Sequence, residues 1–568
     1  MDSNVPDPLS GAVPHSSRRR MLSVSLNVQA LAFIFAAFVI PNRLSWVTPL
    51  SFAYLPLEAF VLGLLLLVPG RNGLIIRCFA AVLIGAGVIF RIADMSAFMV
   101  FARPFNPVLD LYLLADGMNL LSSSIGQVGA VVVAVLLVAL AVGILVLSYF
   151  ALARARALLL SVPQRQAGAV LLAGMVVWTG LFFMGVPRVS KYFYDQLAMH
   201  VSNTRTSLAE LRSFREVVNI DAYADVPGDS LFGALRGKDV LVVFVESYGR
   251  IVIDSEHYSS HVRPALQQAT ADLAAGGFEA RSGFLTSPTV GGISWLAHGT
   301  ALSGMWIDSQ IRYDSLMISE RPSLVRLFNR AGWRTLGVMP AITMAWPEGQ
   351  YFGYDHVYDS RELAYQGKPF NYVTMPDQFT LAQFQRLERT PGPRTPVMAE
   401  IALISSHAPW TPVPQLIDWR AVRDGSEFDE QATSDDPPEV VWQNRQRVLD
   451  HYRGTVEYVV QTLVSFATTF GDENLVMLIL GDHQPMPYVT DETENRDVMV
   501  HLIAKDPAVF AAMADWQWTA GMLPADDVPV WRMDEVRDRF VEAFSVGAGP
   551  ARDAEALPVG AGLARDAF

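Results

Sequence analysis

The sequence predicts an α/β protein: an N-terminal bundle of about five transmembrane helices followed by a mainly parallel-sheet α/β/α domain. Three observations predict it. Hydrophobic residues make up 51% of the 568 positions and charged residues only 17%, against about 25% charged in an ordinary soluble domain. The long apolar stretches all fall before Pro187. After Lys238, short β-branched runs alternate with helix-like stretches. Acidic residues outnumber basic ones, giving a net charge of −13, so binding of nucleic acid by bulk charge is excluded. Cys78 is the one cysteine. It rules out an intramolecular disulfide and a cysteine-based zinc cluster.

A spanning helix needs about 17–25 mostly apolar residues. Residues 24–41, 128–152 and 168–187 meet that length without a charge. Residues 52–69 contain only Glu58, and residues 73–92 hold Arg77 and Arg91 near their two ends. Lys and Arg in short loops set orientation. Arg18, Arg19 and Arg20 precede the first stretch, Arg71 and Arg77 separate the second from the third, and Arg154, Arg156 and Arg165 separate the fourth from the fifth. The alternate loops hold Arg43, Arg91 and Arg103. The pattern predicts a multi-pass membrane protein with a cytoplasmic N-terminus. An odd number of spans then places the rest outside, in the periplasm or its equivalent.

Ser17-Arg18-Arg19-Arg20-Met21-Leu22 vaguely resembles a twin-arginine export signal. Further spans follow and no small-residue site closes the first, so it reads as the positive flank of a membrane helix. Arg91 and Asp94 are spaced to pair on one helix face. They read as interfacial anchors, with a lipid head group as the other reading.

The sequence divides into a transmembrane domain (1–187), an amphipathic linker (188–237), an extracytoplasmic catalytic domain (238–546) and a flexible Ala/Gly-rich tail (547–568). Residues 191–218 mix aromatic and charged residues at helical spacing. Ala222-Tyr223-Ala224 is a small-x-small triplet of the kind signal peptidases cut, and such triplets are common by chance. Residues 240–245, 335–339, 397–404 and 475–480 read as buried strands. Residues 323–331, 378–387 and 448–470 read as helices. Residues 424–438 read as an exposed acidic insertion.

In parallel sheets, ligands bind beyond the carboxyl ends of the strands. Three strands end in polar residues: Glu246-Ser247, Ser405-Ser406-His407-Ala408-Pro409 and Gly481-Asp482-His483-Gln484-Pro485. Carboxylate oxygens with imidazole suit a divalent ion such as zinc or manganese. The alternative for any one of them is a turn former or helix cap. His501, after a short apolar run, is a further candidate ligand. Ser294 opens a predicted helix after a loop containing Pro288, Gly291 and Gly292, where the dipole and free N–H groups favour an anion. Its alternative reading is an ordinary N-cap.

These pieces, in this order, resemble the alkaline phosphatase superfamily in its sulfatase-like branch, over about residues 238–507. The run from Asp239 to Ser247 is similar to the first strand with its acidic ligand. Ser294 through Gly304 is similar to the nucleophile segment ending in Leu-Ser/Thr-Gly. Gly481-Asp482-His483 is similar to the Asp-His metal pair, and His407 to a substrate-side histidine. Sulfatases follow the modified residue with x-Pro-x-Arg; here Trp295-Leu296-Ala297-His298 follows, so formylglycine is not implied. An unmodified hydroxyl behind membrane helices resembles lipoteichoic acid synthases, periplasmic phosphoglycerol transferases and phosphoethanolamine transferases. The single cysteine separates the chain from the disulfide-rich phosphoethanolamine group. Those families usually employ threonine, which leaves Thr289 as the alternative nucleophile.

The resemblance implies one divalent metal ion, manganese or zinc, on Glu246, Ser294, Asp482 and His483. It implies transfer of a phosphoglycerol-type or phosphoethanolamine-type group from a membrane phospholipid donor to a cell-envelope glycan or lipid acceptor, through an ester on Ser294. His407 is expected to contact the phosphate or protonate a leaving oxygen, with His298 and Trp346 lining the site. The alternatives are a hydrolase on the same fold (phosphodiesterase, phosphatase or sulfuric ester hydrolase) and a non-enzymatic envelope-binding protein.

Overall fold

The structure is a computed structural model and describes residues 15–545 apart from 112 and 391–393. The tail at 547–568 lies outside the described residues. The chain forms two compact units: Met1–Met99 with Arg103–Ala209, and Val100–Ala102 with Glu210–Phe568.

Among the described residues of the first unit, four helical segments are long and apolar enough to cross a membrane: Leu22–Val39, Gly70–Phe101, Ile125–Leu159 and Gln164–Phe183. The expected span at 52–69 differs. It forms a 3-10 turn at Pro49–Ala53, a two-residue strand Leu55–Pro56 and a helix of ten residues, Leu57–Leu66. Ten residues rise about 15 Å, half of a roughly 30 Å hydrocarbon core. Prolines explain the shortfall: Pro56 sits at the N-cap and can continue no helix backward. A window free of charge is therefore not a helix of the same length, and the odd count behind the outward placement is not met by these four helices.

Arg91 and Asp94 do not pair. Arg91 donates to the Ala37 and Phe38 carbonyls at 2.6 and 3.4 Å. Asp94 accepts from the Phe105 N–H at 2.9 Å and faces the His200 ring at 3.1 Å. The expected amphipathic segment is the helix Tyr192–Val217, with Phe193, Leu211 and Phe214 buried. In the triplet at 222–224 Tyr223 is buried, and the preceding Asp221 is gripped by Arg321 and Arg537 at 3.0 and 2.6 Å.

The second unit is built on a nine-stranded sheet. Its strands are β1 (Asp239–Val245), β2 (Glu279–Thr286), β3 (Arg334–Met339), β4 (His356–Asp359), β5 (Val397–Leu403), β6 (Leu475–Gly481), β7 (Asp497–Ala504), β8 (Thr519–Ala520) and β9 (Val530–Arg532). The order is β8-β2-β7-β6-β1-β5-β3-β4, with β9 also on β2. β6, β1, β5, β3 and β4 run parallel, while β7 is antiparallel to both β6 and β2. The antiparallel β7 was not legible as a strand in the sequence.

Every residue of β1 is buried, because both sheet faces are covered. Leu241, Val243 and Val245 point into one core, with Tyr258 and Val262 of helix Glu256–Ala275, Phe379 of helix Asp377–Glu388 and Tyr452 of helix Arg445–Phe470. Val240, Val242 and Phe244 point into the other, with Leu296 and Ala301 of helix Ser294–Ser303, Phe328 of helix Leu324–Arg330 and Phe540 of helix Val536–Phe544. The period of two along a strand feeds both layers, each fully buried aliphatic or aromatic side chain contributing roughly 1.5–3 kcal/mol. The segment at 424–438 is more packed than its acidity suggests: Phe428 is fully buried.

Candidate active site and metal centre

The sheet order brings the three polar strand ends together. β1 lies between β5 and β6, with Val245 opposite Leu403 on one side and Gly481 on the other. The next residues continue the pairing: Glu246 N–H donates to Leu403 O at 3.0 Å and Asp482 N–H to Val245 O at 3.2 Å. Glu246 and the Asp482-His483 pair therefore leave the same edge. Gly481 permits this close approach, since a Cβ there would lie 2.2 Å from the Tyr248 carbonyl oxygen.

The hydroxyl arrives from β2. Its following loop is stitched to the Asp482–Gln484 segment by Ser287 Oγ donating to Asp482 O at 2.6 Å and Gly291 N–H to Gln484 O at 2.8 Å. Gly291, Gly292 and Ile293 then all take positive φ, at 73°, 146° and 63°. A β-branched residue in the left-handed region is rare and costs on the order of 1–3 kcal/mol. The N-cap of helix Ser294–Ser303 is Ile293, and Ser294 is the first helical residue. Its hydroxyl does not cap. It donates to Glu246 Oε2 at 3.1 Å and lies 3.2 Å from His483 Nε2.

Around it the polar atoms are ordered. His483 Nδ1 faces the Gln484 carbonyl at 2.8 Å. A carbonyl only accepts, so Nδ1 carries a proton and Nε2 faces the site. Asp482 Oδ1 accepts from the N–H groups of Ser247 and His483 at 2.8 and 2.7 Å. Ser247 Oγ donates to Glu246 Oε1 at 2.9 Å. Glu246, Asp482 and His483 each offer a ligand atom within 4.8 Å of the others, and all three are buried.

That donor set fits a divalent cation. Burial works against the Glu246 carboxylate, but the imidazoles of His483 and His407 outweigh it and hold the group below the ordinary range. Burial and the adjacent Glu246 push Asp482 well above it. Two carboxylates this close and this dry share one proton. A cation removes the conflict, and two carboxylates, a neutral imidazole and a hydroxyl make a four-donor set of the kind zinc accepts.

The remaining sequence candidates fall at different distances from this centre. His407 is exposed on the loop after β5, where Ser406 Oγ donates to the Glu246 carbonyl at 2.5 Å. His298, one turn past Ser294, stacks on Phe244 with centroids 3.8 Å apart and faces Glu400 Oε1 through Nδ1 at 2.6 Å. Trp346 packs among aromatic rings, 6.1 Å from Tyr354, and lines a separate cavity of about 280 Å³ with Asp359 and Arg361. The Thr289 hydroxyl donates to Gly292 O at 2.7 Å and holds the loop. His501 is in the core, between Tyr248 and Ser282 at 3.1 and 2.6 Å, where burial lowers it to about 3. It is absent from the ligand group.

Two residues near the site escaped the sequence reading. Glu400, 1% exposed, bonds His298 and also accepts from the Tyr354 hydroxyl. A lone carboxylate in the apolar run Val397–Leu403 was the available signal. Asp377, at the start of helix Asp377–Glu388, accepts from the N–H groups of Ile404 and Ser405 at 2.8 and 3.0 Å and so holds the loop that carries His407. Nothing in its local sequence marked it.

The fold and site define an α/β domain with a hydroxyl placed on a buried group of two carboxylates and one histidine. No protein-family model and no curated protein sequence matches the chain. Among solved structures it is similar to the lipoteichoic acid synthase LtaP from Listeria monocytogenes, at 14% identity over 59% of this chain and 78% of that one, with a TM-score of 0.37. It is similar to the phosphoglycerol transferase GacH of Streptococcus pyogenes, at 12% identity over 59% and 91%, with a TM-score of 0.35. The C-terminal periplasmic domain of EptC from Escherichia coli is similar at 15% identity over 54% and 82%, with a TM-score of 0.36. Likenesses of this degree leave the functional conclusion to the side-chain geometry.

Proposed function

We propose that the protein is a membrane-anchored transferase that moves a phosphoglycerol-type or phosphoethanolamine-type group from a phospholipid to an envelope glycan or lipid. The observation that carries this reading is the Ser294 hydroxyl, 3.1 Å from Glu246 and 3.2 Å from His483 at the head of a helix. Glu246, Asp482 and His483 would hold a divalent cation, manganese or zinc by donor type, which would supply Lewis acidity and neutralise phosphate charge. Ser294 passes its proton to the Glu246 oxygen that already accepts it, and Oγ attacks phosphorus. The bond from phosphorus to the diacylglycerol oxygen breaks, and that oxygen takes a proton from His407. The acceptor hydroxyl then attacks the Ser294 ester and gives its proton to His407. The bond from phosphorus to Oγ breaks, and Ser294 recovers its proton from Glu246. The N-terminal N–H groups of helix Ser294–Ser303 favour the anion throughout.

We place the domain outside the cytoplasm. Arg18–Arg20 and Arg71 with Arg77 mark two cytoplasmic flanks, so the chain returns between them through the segment containing Leu57–Leu66. That return makes five passages. Cysteines introduced at positions 45 and 220, in a Cys78→Ser background, are expected to react with an impermeant maleimide on intact cells. Labelling only after lysis overturns the placement.

The chemical test is mass spectrometry of the full-length protein after exposure to phosphatidylglycerol. A glycerol-phosphate increment on the peptide containing Ser294 supports the reading, and an increment on Thr289 refutes it. Turnover that yields free glycerol phosphate without an acceptor adduct makes the protein a hydrolase.

A further inference from the structure

The membrane unit contains a buried cation with no carboxylate in direct ion-pair contact. Arg91, in helix Gly70–Phe101, is 5% exposed. Its hydrogen-bond partners at 2.6 and 3.4 Å are main-chain carbonyls, and its guanidinium lies over the rings of Tyr192 and Phe193. Among the described residues no carboxylate oxygen lies within 4.0 Å of it. Asp94, fully buried on the same helix, is engaged with His200 at 3.1 Å. Arg205, farther along helix Tyr192–Val217, is exposed and makes no ion pair among the described residues. Glu58 and Asp94 act on Arg91 only from beyond 4.0 Å, and a buried guanidinium without a direct ion pair is costly in an apolar setting.

Both arginines line one cavity of about 350 Å³, together with His200, Thr204 and Gln196. Leu83, Phe193 and Leu197 belong to that wall and also to the wall of a second cavity, of about 680 Å³. The second is lined by aliphatic and aromatic side chains apart from Glu58 and Lys191. A cationic chamber thus shares a wall with an apolar one, between helix Gly70–Phe101, which is long enough to cross a membrane, and helix Tyr192–Val217.

We propose that this pair of cavities is a binding site for an anionic phospholipid, with its phosphodiester against Arg91 and Arg205 and an acyl chain in the apolar chamber. Charge complementarity selects the head group: two guanidiniums favour a net negative lipid over a zwitterionic one. The apolar chamber selects a lipid over a soluble anion, which would leave it unused.

The experiment uses the full-length protein carrying Ser294→Ala, so that no turnover by the proposed reaction consumes the lipid. Labelled phosphatidylglycerol and phosphatidylcholine of matched chains are offered in mixed micelles, and the lipid kept after detergent exchange is counted. About one phosphatidylglycerol per chain is expected, with phosphatidylcholine near background. Arg205→Glu should cut retention at least about fivefold, the effect of one near-surface charge. Because Arg205 is exposed, that variant keeps the test valid even where Arg91→Ala fails to fold. Leu197→Trp, which fills the shared wall, should cut it too. Equal retention of the two lipids, full retention by Arg205→Glu, or displacement by millimolar glycerol phosphate would each overturn the proposal. Retention with no adduct on the wild-type Ser294 peptide would sink the catalytic reading and leave this site standing.

Discussion

Replacing Glu400 by Gln removes one charge from the middle of β5 and changes almost no volume. In the structure that carboxylate accepts from His298 Nδ1 at 2.6 Å and from the Tyr354 hydroxyl. A carboxylate only accepts, so it fixes the proton on Nδ1 and leaves Nε2 free one helical turn from Ser294. Glutamine can present either an oxygen or an NH₂ to the ring, so the tautomer is no longer imposed. A hydrogen bond to a charged group contributes about 1.5–3 kcal/mol, which as lost transition-state stabilisation is roughly a 10- to 150-fold fall in kcat/KM. The assay is release of labelled head group from phosphatidylglycerol, with bound metal measured on the same samples. Metal content should stay at the parental level, because Glu400 is not among the three grouped ligands. His298→Ala supplies the second arm of a double-mutant cycle. If Glu400 acts through His298, the double variant is no worse than the worse single one. Activity of Glu400→Gln within twofold of the parent, or losses that simply multiply in the double variant, would refute this coupling.

Ser294→Ala is expected to remove the covalent adduct and at least about 1,000-fold of activity, while Thr289→Ala keeps the adduct and loses about 1 kcal/mol of stability with its loop bond; intact-protein mass and thermal melts separate the two. Metal binding should release protons, because Asp482 is pushed up by burial and by Glu246 and must ionise to ligate; affinity therefore rises with pH, and calorimetry in two buffers of different ionisation heat measures the proton count. Asp482→Asn should abolish that release together with tight binding. Asp377 is raised to about 7 by burial, against the pull of its hydrogen bonds from Ser405 and Ile404. Its folded value lies above its unfolded one, so stability is greatest below the unfolded value, falls as pH rises from about 4 to about 7, and then levels, for at most roughly 4 kcal/mol. Asp377→Asn should flatten that part of the denaturation profile, and a slope identical to the parent's would count against the assignment.

What the sequence made legible follows from how local each signal is. The apolar runs at 240–245, 397–404 and 475–480 are strands because both faces of the sheet are covered, and continuous burial leaves a continuous hydrophobic run. Glu246 and Asp482-His483 were readable because they end such runs. β7 was hidden: Val498–Ala504 contains His501, whose polarity is satisfied by Tyr248 and Ser282, partners more than 200 positions away in the chain. Glu400 was hidden for the same reason, since a buried carboxylate makes sense only once His298 and Tyr354 are seen beside it. The helix expected over 52–69 is shorter than its apolar window from the opposite cause. Hydropathy sums over a window and does not register that Pro56 interrupts the backbone within it.

The placement of Ser294 departs from that of a structural serine at a helix start. A structural serine at a helix start occupies the N-cap and accepts from an N–H of its own first turn. Here that position belongs to Ile293, in a left-handed conformation that isoleucine disfavours, and the serine is displaced one residue into the helix. Its hydroxyl donates outward to Glu246 instead. The local stability of the helix is therefore worse than a simple Ser N-cap would give, and the strain at Ile293 is held by the Gly291–Gln484 and Ser287–Asp482 bonds. Those bonds tie the loop to the segment that supplies Asp482 and His483. For the nucleophile proposed at Ser294, that anchoring sets its distance to the carboxylates and imidazole by the same main chain that carries them.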